Sequence, residues 1–374
     1  MSRADVIVVG AGASGLAVAA TLKRRGRDPV VLEGAGSVGA TWAARYERLH
    51  LHTVRRFSGL PFYGMPRSYP RYVPKDQYAE YLRNYAGRMG LTISLGECVK
   101  RIRPEGPGTS WVVETDRETW TARAVIVATG RHNAPTLPRW EGMADFVGRV
   151  IHSHEYSSGR EFAGKRVLVI GIGNSGAEIA ADLVEQGAAR VAVSVRSTPP
   201  ITSREIAGIP VQLLGMVLMP FPARVVDRLG ALLRRIGNGD LSKYGLGKEE
   251  WGPFTARRPP VIDVGFLDLL KAGRIDVLPN VLNFTRAGVV VADGVEHEFD
   301  DVVAATGYTT GLDKLLEAPR ALDERAYPRA DGAYPGLYFA GYSETPRGQL
   351  FESSRGAHKL AATVDGYLDA SEVR

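Results

Sequence analysis

Hydrophobic positions form two unbroken runs, Val6-Ile7-Val8-Val9 and Val167-Leu168-Val169-Ile170, each followed by a glycine loop and an alanine-rich stretch of helical periodicity. Such runs predict parallel strands buried on both faces, because alternation disappears where neither face meets water. After the first unit, residues 111–115, 120–123 and 124–128 read as short β segments separated by polar turns such as Asp116-Arg117-Glu118. This meander ends at Ala128-Thr129-Gly130, and a near copy, Ala304-Ala305-Thr306-Gly307-Tyr308, ends a strand after the whole second unit. Both tripeptides read as crossings between domains. The predicted fold is α/β, with two Rossmann-like dinucleotide-binding domains, the second inserted in the first. The first is discontinuous, residues 1–155 and 301–374; the second spans residues 156–300.

The loops are Gly10-x-Gly12-Ala13-Ser14-Gly15 and Gly171-x-Gly173-Asn174-Ser175-Gly176, which lie 161 residues apart. In such a fingerprint the first glycine makes the tight turn and the second lets a diphosphate approach the backbone. The third lets helix pack on strand, so the diphosphate rests at the helix N-terminus. A lone match would carry little weight; two copies in strand-loop-helix context predict two dinucleotides.

Eighteen residues past Gly15 stands Glu33, placed to accept hydrogen bonds from a ribose 2'-hydroxyl. Eighteen past Gly176 the corresponding position is Ser194, with Arg196 two further on. A hydroxyl and a guanidinium in place of a carboxylate suit a 2'-phosphate. These positions predict FAD at the first site and NADPH at the second. Without the spacing, Arg196 would read as a solvated arginine at a strand end.

Length and charge narrow the class. The 374 residues support two cores, and 47 basic against 41 acidic residues leave +6, scattered rather than massed in a stripe. That balance suits anionic small molecules and predicts no nucleic-acid partner. The amino terminus runs straight into the first strand, so no signal peptide and a cytoplasmic location are expected. The single cysteine, Cys98, expected in the core, excludes chemistry that runs through a Cys-x-x-Cys dithiol. The pairs His50/His52 and His152/His154 lack a third-ligand motif, so no metal site is predicted.

Between the fingerprints lies Phe146-x-Gly148-x-x-x-His152-x-x-x-Tyr156, which resembles the identifying motif of class B flavin-containing monooxygenases. Gly39-Ala-Thr-Trp42 adds to the match. The resemblance extends toward the YUCCA-type indole-3-pyruvate monooxygenases through Arg48-Leu-His-Leu-His52, Leu60-Pro61-Phe62, Val225-Val226-Asp227-Arg228, Pro260-Val-Ile-Asp263-Val-Gly265 and Ala305-Thr-Gly-Tyr308. It implies FAD, NADPH, molecular oxygen, a small-molecule substrate and a flavin C4a-peroxide intermediate. It also implies Trp42, Thr129, Gly130, Thr306, Gly307, Gly341, Gln349 and Leu350 as cofactor-facing residues, and His52 as the catalytic candidate, hydrogen bonding near the flavin edge. His52-Thr53-Val54 stands where many animal and bacterial relatives carry an Asn-Thr-Ser-like segment, and the plant-type pattern also has histidine there. The stretch from Gly341 to Leu350 keeps an Arg-Gly pair, two residues later than in the plant pattern. The reactions implied are oxidative decarboxylation of an aromatic 2-oxo acid or, by the same intermediate, N- or S-oxygenation. An NADPH-dependent electron-transfer reductase would use the same two fingerprints, as would a redox sensor without turnover.

Residues 206–223 form an eighteen-residue stretch without charge, at the threshold length for a membrane span. Pro210, Pro220, Pro222, Gly208 and Gly215 interrupt it, which predicts a buried cap over the substrate entrance instead of a span, with shallow membrane contact as the alternative. Sequence leaves homo-oligomerisation open.

Overall fold

A computed structural model describes residues 2–106, 110–329, 334–343 and 345–372. The first apolar run lies in β1 (Ser2–Val9), where Val6 to Val9 are at most 4% exposed. The glycine loop then leads into α1 (Ala13–Arg24) and on to β2 (Val30–Glu33). The sheet continues with β3 (Thr92–Leu95), and on the other side with β4 (Val99–Pro104), β5 (Trp111–Thr115) and β6 (Thr119–Val127), in the order β3-β2-β1-β6-β5-β4. The pairs among β1, β2, β3 and β6 are parallel, whereas β4, β5 and β6 form an antiparallel meander in which the segments read from sequence as 120–123 and 124–128 are one continuous strand and Val99–Pro104 supplies the third. On the edge away from β1, the long strand β6 serves two partners. Its first half pairs with β5, and its last three residues pair in parallel with the late strand Leu337–Phe339, which returns the chain to this sheet.

The second sheet is wholly parallel. Its strands are β7 (Arg149–His152), β8 (Arg166–Ile170), β9 (Arg190–Ser194), β10 (Asp276–Leu278) and β11 (Asp301–Ala304), in the order β10-β9-β8-β11-β7. The second glycine loop leads from β8 into α2 (Asn174–Glu185). Strands β7 and β11 lie outside the 156–300 span read from the sequence, yet both pair within this sheet. Pairing followed the apolar runs rather than the Ala-Thr-Gly tripeptides, which come after the strands.

The uncharged stretch departs from the buried cap expected of it. It begins in a hairpin, Glu205–Ile206 against Ile209–Pro210, and enters α3 (Val211–Leu218), in which Gln212 and Gly215 are the buried residues. Prolines 220 and 222 then turn the chain into α4 (Ala223–Asn238). Leu213, Val217 and Phe221 are exposed. No helix among the described residues is long and apolar enough to cross a membrane. The last helix, α5 (Gln349–Glu372), packs Ala357, Ala361, Val364 and Leu368 into the core that holds α1. Cys98 is half-buried beside the Lys100 ammonium, 3.2 Å from its sulfur, rather than in the core.

Candidate functional site

Both fingerprints are built alike. Gly10 and Gly171 take φ of +105° and +96°, and a Cβ on either would lie 2.8 Å from a carbonyl oxygen, that of Ala128 or of Ala305. The residues that begin the two Ala-Thr-Gly tripeptides therefore roof the two turns. Gly15 and Gly176 back onto the carbonyls of Gly10 and Gly171, where any side chain would collide. At Gly12 and Gly173, by contrast, a Cβ would meet open space. These two residues cap α1 and α2 without a side-chain hydrogen bond, so the first N–H groups of each helix keep their donors for an external anion.

The strand ends differ in a way that corrects the sequence alignment of the two sites. The Gly10 N–H donates to the Leu32 carbonyl, and the Gly171 N–H to that of Ser194. Ser194 is therefore the counterpart of Leu32, and Val195 that of Glu33. Helices α1 and α2 are both 12 residues long, so the one extra residue of the second unit falls after the helix. Ser194 is 1% exposed and its hydroxyl donates to the Pro279 carbonyl at 2.8 Å, which removes it from the expected phosphate-binding role. Arg196, immediately past the acid's counterpart, is exposed and makes no ion pair with the described residues. The Glu33 carboxylate accepts N–H groups of Ala11 at 2.7 Å and Ala35 at 2.9 Å, which fixes it at the mouth of the first loop with lone pairs to spare.

The carboxy-terminal residues close on the first loop. The Gln349 amide donates to the Gly341 carbonyl at 2.8 Å, and the Ser14 and Ser353 hydroxyls lie 2.8 Å apart. A Cβ on Gly341 would run into the Ser14 side chain, and Leu350 is buried in the core behind. The Gln349 Oε1 is buried without a partner among the described residues, an acceptor suited to a donor such as a ring N–H of a flavin. Thr129 hydrogen-bonds the Tyr342 hydroxyl at 2.9 Å, and Gly130 turns with positive φ beside it. Trp42 is half-buried and meets Tyr78 edge-on at 4.7 Å. Open Gly12, fixed Glu33 and orphaned Gln349 Oε1 fit FAD. Open Gly173 and free Arg196 fit NADPH.

His52 joins the two units. Its Nε2 is hydrogen-bonded to the carboxylate of Glu178, a 2%-exposed residue of α2. Burial, with Glu178 alongside, holds the Tyr46 phenol well above its usual range. One imidazole nitrogen thus faces the second unit rather than the flavin edge expected from the resemblance, and Nδ1 remains for other contacts. Next to it, the Val54 N–H donates to Gln212 of α3 at 2.9 Å, and the Gln212 amide donates to the Arg347 carbonyl at 2.7 Å. Sequence reasoning missed Glu178 and Gln212. A charge inside the Ala-Ile stretch of α2 was the available signal for the first; the second carries none.

The Phe146 to Tyr156 motif works as scaffolding. Phe146 packs on Phe284, and the Tyr156 hydroxyl donates at 2.6 Å to Asp182, which also accepts the Gly159 N–H. The His152 Nε2 donates to the Gly307 carbonyl at 3.0 Å, and Nδ1 accepts the His154 N–H at 3.1 Å. The Thr306 hydroxyl is spent on the Thr136 carbonyl. Thr306 and Gly307 thus hold the crossing together. Tyr308, next in the chain, stacks edge-on against His152 and accepts a hydrogen bond from Arg45 at 2.8 Å.

Known proteins share this fold. The pyridine nucleotide-disulphide oxidoreductase family matches residues 7–207, although one cysteine cannot supply the dithiol of that name. The chain is 38% identical to indole-3-pyruvate monooxygenase YUCCA1 of Oryza sativa subsp. japonica, over 93% of this chain and 88% of that protein. Among solved structures, a flavin-containing monooxygenase from Stenotrophomonas maltophilia is 26% identical with a TM-score of 0.75, covering 98% of this chain and 99% of its own. An oxidised steroid monooxygenase bound to NADP, 20% identical, shares the fold with a TM-score of 0.79 over 99% of this chain and 87% of its own. The chain belongs to the class B flavin monooxygenase family, alongside the YUCCA-type enzymes.

Proposed function

We propose that this flavin-dependent monooxygenase uses NADPH and molecular oxygen to convert an aromatic 2-oxo acid to the carboxylic acid one carbon shorter. The observation that carries the reading is 38% identity to an indole-3-pyruvate monooxygenase along 93% of the chain. The overall reaction balances: 2-oxo acid, O2, NADPH and a proton yield the shorter acid, CO2, NADP+ and water.

Bound FAD would supply hydride acceptance from NADPH and the activation of oxygen. The chain's own part is binding and orientation. Gly12 and the α1 N-terminus accept the FAD diphosphate, Glu33 accepts the ribose hydroxyls, and Gly341 with Gln349 borders the same loop. At the second site Gly173 and the α2 N-terminus accept the NADPH diphosphate, and Arg196 pairs with the 2'-phosphate. His52, oriented by Glu178, presents Nδ1 as a proton donor or acceptor between the units. The FAD unit is discontinuous, and the pairing of Arg149–His152 and Asp301–Ala304 supports giving both strands to the NADPH unit.

The test incubates the enzyme with indole-3-pyruvate or phenylpyruvate, NADPH and labelled oxygen. Labelled carboxylic acid above the spontaneous background is the expected product. No labelled acid, together with clean oxygenation of an amine or sulfide, would reject decarboxylation in favour of N- or S-oxygenation.

A further inference from the structure

Helix α4 carries an apolar stripe that faces away from the protein. Val225, Leu229, Leu232, Leu233 and Ile236 are 60%, 51%, 55%, 51% and 72% exposed. Their spacing of four, three, one and three residues puts them on one side of the helix, over about 16 Å of its length. The opposite side meets the protein, where Arg234 pairs with Glu249 at 2.6 Å, and Val226 is buried on one flank. Five large apolar side chains in one exposed row are more than a monomer scatters over its surface. Exposed Leu213, Val217 and Phe221 on the preceding segment, and Ile206 and Ile209 on the hairpin, add to the apolar surface of this region.

The charges beside the stripe identify what it meets. Arg224, Arg228 and Arg235 are exposed. At 100° per residue they fall along one flank of the stripe, roughly a quarter turn from its centre. The acid within the helix, Asp227, is occupied by the N–H groups of Phe254 and Thr255. A row of arginines along an apolar stripe is the arrangement of a helix lying in a bilayer interface, with stems along the acyl boundary and guanidinium groups among phosphates. A second copy laid antiparallel on the stripe would instead place the two arginine rows on the same side, unpaired and repelling.

We propose that α4, with the apolar surface of α3 and the hairpin beside it, docks this enzyme on an anionic lipid surface without spanning it. Phosphate headgroups pair with Arg224, Arg228 and Arg235, and the apolar stripe enters the headgroup boundary. The docked segment is the one whose inner residue Gln212 ties down the His52–Val54 loop, so the lipid surface lies just outside the candidate site.

Co-sedimentation of the full FAD-loaded chain tests this with vesicles of phosphatidylcholine alone and of phosphatidylcholine mixed equally with phosphatidylglycerol. Binding to the mixed vesicles, weak binding to the neutral ones and loss of binding at high salt are expected. Arg224→Gln with Arg228→Gln and Arg235→Gln should weaken binding to the mixed vesicles on the order of a hundred-fold. Leu232→Gln with Ile236→Gln should abolish it. Both variants alter exposed residues outside the cofactor sites, so flavin absorbance and NADPH oxidation should persist. Failure of the unmodified chain to bind mixed vesicles, or equal binding to both kinds, overturns the proposal whatever the variants do. A dimer that the Leu232/Ile236 variant converts to monomer assigns the stripe to a second copy and overturns it equally.

Discussion

His52 and Glu178 hydrogen-bond across the boundary between the two nucleotide units, the histidine from a loop of the first and the carboxylate from α2 of the second. A buried carboxylate fixes both the ring orientation and the tautomer of its histidine. Glu178→Ala would leave His52 without an orienting partner and should destabilise the fold by about 1 to 3 kcal/mol, the range for a broken buried hydrogen bond. His52→Ala should raise the share of NADPH oxidation that ends as hydrogen peroxide, with FAD content unchanged. Peroxide released per NADPH consumed reads this directly, and unchanged coupling in both variants would remove His52 from the reaction.

Gln212 is 4% exposed and spans two main-chain segments, accepting from Val54 and donating to Arg347. Gln212→Leu keeps the volume and strands both backbone groups, so a loss of about 1 to 3 kcal/mol is expected in urea unfolding. The substrate KM should rise more than that for NADPH, because the segments it joins carry His52 and the Arg347–Gly348 turn rather than the second fingerprint.

Acid should loosen the crossing between the units. His152 is 2% exposed, and burial holds its pKa below the usual histidine range. Its ring donates through Nε2 and accepts through Nδ1, which requires the neutral form. A histidine whose folded pKa is depressed contributes stability that is fully present above about pH 6.5, its unfolded value, and is lost as pH falls toward the folded value. Melting temperature should therefore drop below that pH, and His152→Gln should flatten this part of the profile while lowering stability at pH 7.5.

What could be read from sequence was what sterics dictate. Gly10, Gly15, Gly171 and Gly176 sit where a Cβ meets backbone, and such positions announce themselves as glycine. The exposure of Leu229 and Ile236 was not legible, because a stripe of period 3.6 looks the same whether it faces a core or solvent. That β7 and β11 pair within the second sheet was not legible, because pairing partners lie far apart in the chain and local pattern says nothing about which sheet a short apolar run joins. Glu178 and His52 could not be paired from spacing either, since their contact depends on how the two units meet.

The second site offers the sharpest test of reading spacing against structure. Counting from the third glycine made Ser194 the counterpart of Glu33, but backbone pairing gives that place to Val195, and the buried Ser194 hydroxyl is occupied by the Pro279 carbonyl. Discrimination between NADPH and NADH should then reside in Arg196, exposed just beyond. Arg196→Ala should lose ~1.5 to 3 kcal/mol of NADPH binding, the range for a hydrogen bond to a charged group, with NADH binding almost unchanged. Ser194→Ala should leave the NADPH to NADH ratio where it was and lower only stability, by about 0.5 to 1.5 kcal/mol. Titrating both coenzymes against both variants separates the two residues. A ratio that follows Ser194 rather than Arg196 would restore the sequence count, and equal KM values for the two coenzymes in the unmodified chain would sink the phosphate-binding role of Arg196.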